Sequence, residues 1–186
     1  AADVFLPVNL TSGSIGITNP TSVNFPWIAE VVGTPVFLVN SETDVDFVRQ
    51  PDSALYREWS VAGTTHEDLD MLQYLQPLLQ RDLSPVPDLT AGCIKTPGSR
   101  LHFKYVVNAA MDLAAKWVTT GQAPPTQPPF AYGSDGQLSR DADGNAVGGI
   151  RLPEEAVPTA INSSINSGGP YCGLEGSYEP FDAAKL

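Results

Sequence analysis

The chain has 186 residues, enough for one domain with a buried core, and its 42% hydrophobic and 17% charged residues exclude a disordered chain. Ten Lys and Arg stand against 21 Asp and Glu, for a net charge of −11, and the few cations are scattered, so nucleic acid is excluded as a partner. Apolar runs such as residues 35–39 are far too short to span a bilayer, and no basic segment followed by an apolar one opens the chain, so no signal peptide is visible.

Residues 2–10 read as a short strand with Val4, Leu6 and Val8 on one face and Phe5 on the other. Residues 11–26, rich in Ser, Thr, Asn and Gly with an Asn19-Pro20 turn, read as a loop. The unbroken apolar run of residues 34–40 predicts a parallel strand buried on both faces. Residues 46–56 have room only for a short helical crossover before a second strand at 57–62, closed by Gly63. Glu67, Asp68 and Asp70 then precede Leu72, Leu75 and Leu78, the pattern of a helix with an acidic first turn, which Pro77 should end or kink. Val106, Ala110, Leu113 and Trp117 recur at helical spacing within a long helix over 101–120, ended by Gly121 and by Pro124-Pro125. Beyond it lie turns at 133–136 and 141–145 and a hairpin arm at 150–152.

This order is that of an α/β fold with a mostly parallel sheet. About three strands cannot make a covered parallel sheet alone, so the chain reads as part of a larger doubly wound fold. Residues 1–125 hold its last sheet strands and helices, and 126–186 form a loop-rich terminal segment. The first residue is Ala1 rather than Met, which suits a trimmed protein or one whose N-terminal half is missing or sits on another chain. Cys93 and Cys172 both lie in loop-like, Gly-containing sequence of an acidic, Lys-poor chain. They are expected to form a disulfide, which places the protein in a secreted or periplasmic setting.

Two strand ends carry the chemistry. The first buried strand runs into Asn40-Ser-Glu-Thr-Asp44, and the second into Gly63-Thr-Thr-His66. Catalytic groups in open parallel sheets gather beyond the carboxyl ends of strands. An acid and a histidine on one rim can act together, the acid fixing the imidazole tautomer while the other ring nitrogen faces a nucleophile. A histidine that merely caps the following helix is the plainer alternative. Acid before histidine is also the chain order of α/β-hydrolase triads.

From about residue 34 onward the chain resembles bacterial and fungal α/β-hydrolase domain-containing proteins. The resemblance rests on Thr34-Pro-Val-Phe-Leu-Val-Asn-Ser-Glu-Thr-Asp44, Pro51-Asp-Ser53 and Trp59-Ser-Val-Ala-Gly-Thr-Thr-His66. Further on it rests on Tyr105-Val-Val-Asn-Ala-Ala110, Gly144-Asn-Ala-Val-Gly-Gly-Ile-Arg-Leu-Pro153 and Cys172-Gly-Leu174. It implies the C-terminal portion of a serine hydrolase acting on a small ester-like substrate. His66 would be the general base, and Asp44 or Glu42 the acid that supports it. Asp44 is placed ahead, because it superimposes on the Asp of a Gly-x-x-Asp turn common in the wider fold.

The departure from the pattern lies at the nucleophile. No segment reads Gly-x-Ser-x-Gly; the nearest, Ser12-Gly-Ser14-Ile-Gly16, lacks the first glycine and runs into β-branched residues and Asn-Pro rather than a helix. The serine, and the oxyanion hole beside it, are therefore expected upstream of Ala1 or on a partner polypeptide, with a homo-oligomer also open. A non-catalytic assembly or binding module on a hydrolase scaffold is the rival reading. Nothing calls for a cofactor, and His66 and His102, the only histidines, show no zinc spacing. Asp141-Ala-Asp-Gly-Asn145 reads as a hairpin turn before a calcium loop. Trp27, Trp59 and Trp117 read as core, and Asn9-Leu-Thr11 and Asn162-Ser-Ser164 are glycosylation sequons.

Overall fold

A computed structural model describes residues 4–9, 33–45 and 49–186. Strands β1 (Val36–Ser41) and β2 (Tyr56–Val61) pair in parallel, in register from Val36↔Tyr56 to Ser41↔Val61. Residues 4–9 run parallel along the other side of β1, with Phe5 opposite Val36 and Val8 opposite Val39. Phe5 N–H donates to the Pro35 carbonyl at 3.0 Å, and Val39 N–H to the Pro7 carbonyl at 3.1 Å. Ser14 and Trp27 lie outside the described residues.

Beyond β2 the sheet gains one more member where the sequence suggested a hairpin arm. Ile150 bridges Val61 in parallel, its N–H donating to the Ser60 carbonyl at 2.7 Å. Gly149, at φ 69°, makes that approach possible: a Cβ there would lie 2.7 Å from Phe130 and 3.0 Å from the Ser60 carbonyl oxygen. Isolated antiparallel bridges join Phe130 to Gly148, Tyr132 to Leu138 and Arg140 to Ala146, and an antiparallel strand pair follows between β3 (Ala160–Ser163) and β4 (Ser177–Pro180).

All six residues of β1 are buried, as an apolar strand covered on both faces requires. Phe37, Val39, Trp59 and Val61 pack against Phe103, Val106, Ala110, Ala114 and Trp117 of the long helix α2 (Phe103–Thr120). Val36, Leu38 and Tyr56 form a second cluster. Phe37 and Trp59 meet edge to face at 4.9 Å, and the indole N–H donates to the Pro125 carbonyl at 2.8 Å. Gly121, at φ 73°, ends α2 by donating its N–H to the Trp117 carbonyl.

One expectation is corrected and one is narrowed. Residues 49–55, the described part of the connection before β2, hold no helix. Arg49 and Ser53 tie this stretch down instead, Arg49 donating to Asp52 and to the Glu58 carbonyl at 2.7 Å each, Ser53 accepting from the Tyr56 amide. Helix α1 (Leu69–Asp82) runs through Pro77 to Asp82. The carbonyl that Pro77 leaves without a donor belongs to Gln73, and both residues are exposed, so that carbonyl is open to solvent. Asp68 caps α1 by accepting from the Met71 amide at 2.8 Å.

The terminal segment adds two four-residue helices, α3 (Pro153–Ala156) and α4 (Cys172–Glu175). Cys93 and Cys172 are joined, closing a separation of 79 residues. At Asp141, Oδ1 accepts from the amides of Asp143 and Asn145 and Oδ2 pairs with Arg151, so its carboxylate organises a turn. Among the described residues no helix is long and apolar enough to cross a membrane.

Candidate active site

The parallel register carries β1 and β2 to the same rim, and their continuations stay together. Past the last strand pair, Glu42 N–H donates to the Thr64 carbonyl at 3.1 Å. Glu42–Asp44 form one 3-10 turn, which sends its two acids in opposite directions.

Asp44 faces the histidine. His66 Nδ1 lies 2.9 Å from Asp44 Oδ1. A carboxylate can only accept, so this bond puts the ring proton on Nδ1 and leaves Nε2 as the basic nitrogen. Ser41 Oγ donates to Asp44 Oδ2 at 2.6 Å, so both carboxylate oxygens are engaged and the group cannot rotate freely. The Asp44 side chain is 7% exposed and that of His66 37%, which shields the acid from solvent and leaves the ring open on its far side. Among the described residues, Asp44 is the one group bonded to the His66 ring.

Glu42 faces inward, away from the imidazole. Its Oε2 accepts from the Gly63 amide at 2.6 Å, and Oε1 accepts from the Ser164 amide at 3.0 Å and the Ser164 hydroxyl at 2.9 Å. Arg140 closes on the same oxygen at 2.6 Å. Gly63, at φ 69°, begins the histidine loop, and any Cβ there would lie 2.5 Å from Leu101 and 2.7 Å from Glu155. Ser99 fixes the carbonyl of the same residue, its hydroxyl donating to the Gly63 carbonyl at 2.6 Å. Burial first, and then the charge of Glu42, push the Glu155 carboxyl up to about 7.

His102 offers a contrast. Its Nδ1 bonds Asp70, but Lys104 also holds Asp70, at 2.8 Å. The hydrogen bond from Lys104, followed by that from His102, lowers the Asp70 carboxyl below its ordinary range. That acid is neutralised by a lysine on the surface at the start of two helices. Asp44 has no cation bonded to it among the described residues, and it stands at a strand end.

Ser41, Arg140, Ser164 and Glu155 escaped the sequence reading. Ser41 was visible as the residue that ends β1 three places before Asp44. Arg140 and Ser164 meet Glu42 across about a hundred residues of chain, and no local pattern announces such a contact.

A protein-family model described as an alpha/beta hydrolase domain matches residues 10–186. Searches of curated proteins and of solved structures found no match to the chain.

Proposed function

Since the chain belongs to the alpha/beta hydrolase domain family, a hydrolase-type function follows, and we propose that the chemistry is hydrolysis of a carboxylic ester. In this reading His66 is the general base and Asp44 its orienting acid, while Glu42 braces the loop that carries the histidine. The observation that supports it is the His66–Asp44 bond at 2.9 Å on the carboxyl rim of a parallel sheet, with Ser41 holding the second carboxylate oxygen. Nε2 would take the proton of a serine, and Asp44 would stabilise the imidazolium until water released the acyl group.

In this reading the serine comes from a segment upstream of Ala1 or from a partner polypeptide, because no stretch of this sequence reads Gly-x-Ser-x-Gly. Among the described residues nothing pairs with the side of 4–9 that faces away from β1, and further strands could pair there, since the bonded amides and carbonyls of this stretch turn toward β1. The Cys93–Cys172 bond suits an oxidising compartment, and we place the protein outside the cytoplasm on that ground.

The test is turnover of an activated ester by the complete protein from its natural source. His66→Ala should abolish it. Asp44→Asn, which keeps the shape but selects the wrong tautomer, should lower kcat by a factor on the order of 10⁴. Unchanged turnover in Asp44→Asn would remove Asp44 from the mechanism.

A further inference from the structure

We infer that Asn9 is a positioning residue of the acid–histidine pair, a single side-chain amide that holds both loops of the rim at once. The inference rests on the triad reading above and adds a residue to it. Asn9 is the last residue of the 4–9 stretch to bond β1, its N–H donating to the Val39 carbonyl at 3.0 Å. Its backbone sits at φ 52°, a left-handed conformation that Asn tolerates better than most residues. Its Oδ1 accepts from the Ser41 amide at 2.9 Å, and its Nδ2 donates to the His66 carbonyl at 3.4 Å.

These contacts converge on the pair from behind. Ser41 is the residue whose hydroxyl orients Asp44. His66 is held at its own main chain, whereas the Glu42 brace grips the loop three residues earlier, at Gly63. The two loops are thus clamped at two points, by Glu42 inside the protein and by Asn9 at the rim. Asn9 bonds neither the imidazole nor the Asp44 carboxylate. It sets where Ser41 and His66 stand, and through them the geometry of the 2.9 Å bond.

Asn9→Gly isolates this role, because glycine adopts the same backbone without strain and only the amide is lost. The measurement is the downfield Nδ1 proton of His66 by NMR on the protein, assigned with a His102→Gln variant. The Nδ1 proton of His102, held by Asp70, is the internal control. In Asn9→Gly the His66 proton should exchange with water about tenfold faster, as the loss of one hydrogen bond permits, with the His102 proton unmoved. Should this variant fail to fold, Asn9→Asp keeps the acceptor for Ser41 but gives His66 no donor, and it should show a smaller acceleration of the same kind. A protected His66 proton in the wild type that is equally protected in the variant overturns the role of Asn9 and leaves the triad reading standing. If the wild type shows no protected His66 proton, the acid–histidine pairing itself falls, and the role of Asn9 with it.

Discussion

The sheet and the terminal segment are buried by different means. Between the sheet and α2 the interior is Phe37, Val39, Trp59, Val61, Val106 and Trp117, while polar burial on the strands gathers at their carboxyl ends, at Asn40, Ser41 and Ser60, and at Glu58. From residue 126 onward the buried side chains include Asn145, Glu155, Asn162, Glu175 and Ser177, alongside Phe130, Ala146, Ala160 and Cys172. Apolar packing is non-directional and tolerates changes of similar shape. A polar interior tolerates little, because each buried group needs a particular partner. The sheet therefore provides a platform, and the polar segment fixes how the loops on its rim are held.

The largest effect that could break this comparison concerns the covalent tie. Reducing Cys93–Cys172 reopens a loop of 79 residues and should cost about 4–5 kcal/mol on the chain-entropy account. Chemical denaturation with and without reductant reads it. A loss below about 1 kcal/mol would mean that the polar segment holds itself together.

Next comes a pair of isosteric changes, one at the ion pair that ties the terminal segment to the rim of the sheet and one in the apolar sheet itself. Glu42→Gln keeps the volume but leaves the Arg140 charge without its counterion, and should cost roughly 3–5 kcal/mol. Leu38→Met, also near constant in volume, should cost less than about 1.5 kcal/mol. Equal losses in thermal melts of the two variants would erase the distinction drawn between the regions.

Acidity gives a subtler reading. The Glu155 carboxyl titrates near pH 7 in the folded protein, against about 4.5 for the ordinary group. Its folded pKa is raised, so its contribution is fully present below about pH 4.5 and is lost as pH rises through about 7. The span is worth about 3 kcal/mol. Glu155→Gln should flatten the fall in stability between those pH values; a slope unchanged in the variant would assign the titration to another group.

Much of the platform was legible in the sequence, and the reason is periodicity. The apolar run at 34–40, the helix ending at Gly121 and the strand closed by Gly63 each follow from local pattern, and the two cysteines expected to pair do so. The direction of each acid in Glu42-Thr43-Asp44 was not legible, because a 3-10 turn sends neighbours to different sides and only the distant Arg140 and Ser164 decide which is neutralised. Of the two outcomes open at Pro77, an end or a kink, the helix does not end there. The helix-breaking rule assumes that the lost bond matters, and here the freed carbonyl is open to solvent. The place of Ile150 in the sheet depended on the close approach at Gly149, which the sequence records only as one glycine among sixteen.

The central claim is that His66 and Asp44 serve a serine that this stretch of sequence does not supply. Its most direct test is to label the protein purified from its natural source with a serine-directed phosphonate and to map the modified residue by mass spectrometry. The account predicts a label on a serine upstream of Ala1 or on a partner polypeptide, and its loss in His66→Ala. A label on any serine within residues 1–186, Ser14 included, would contradict it.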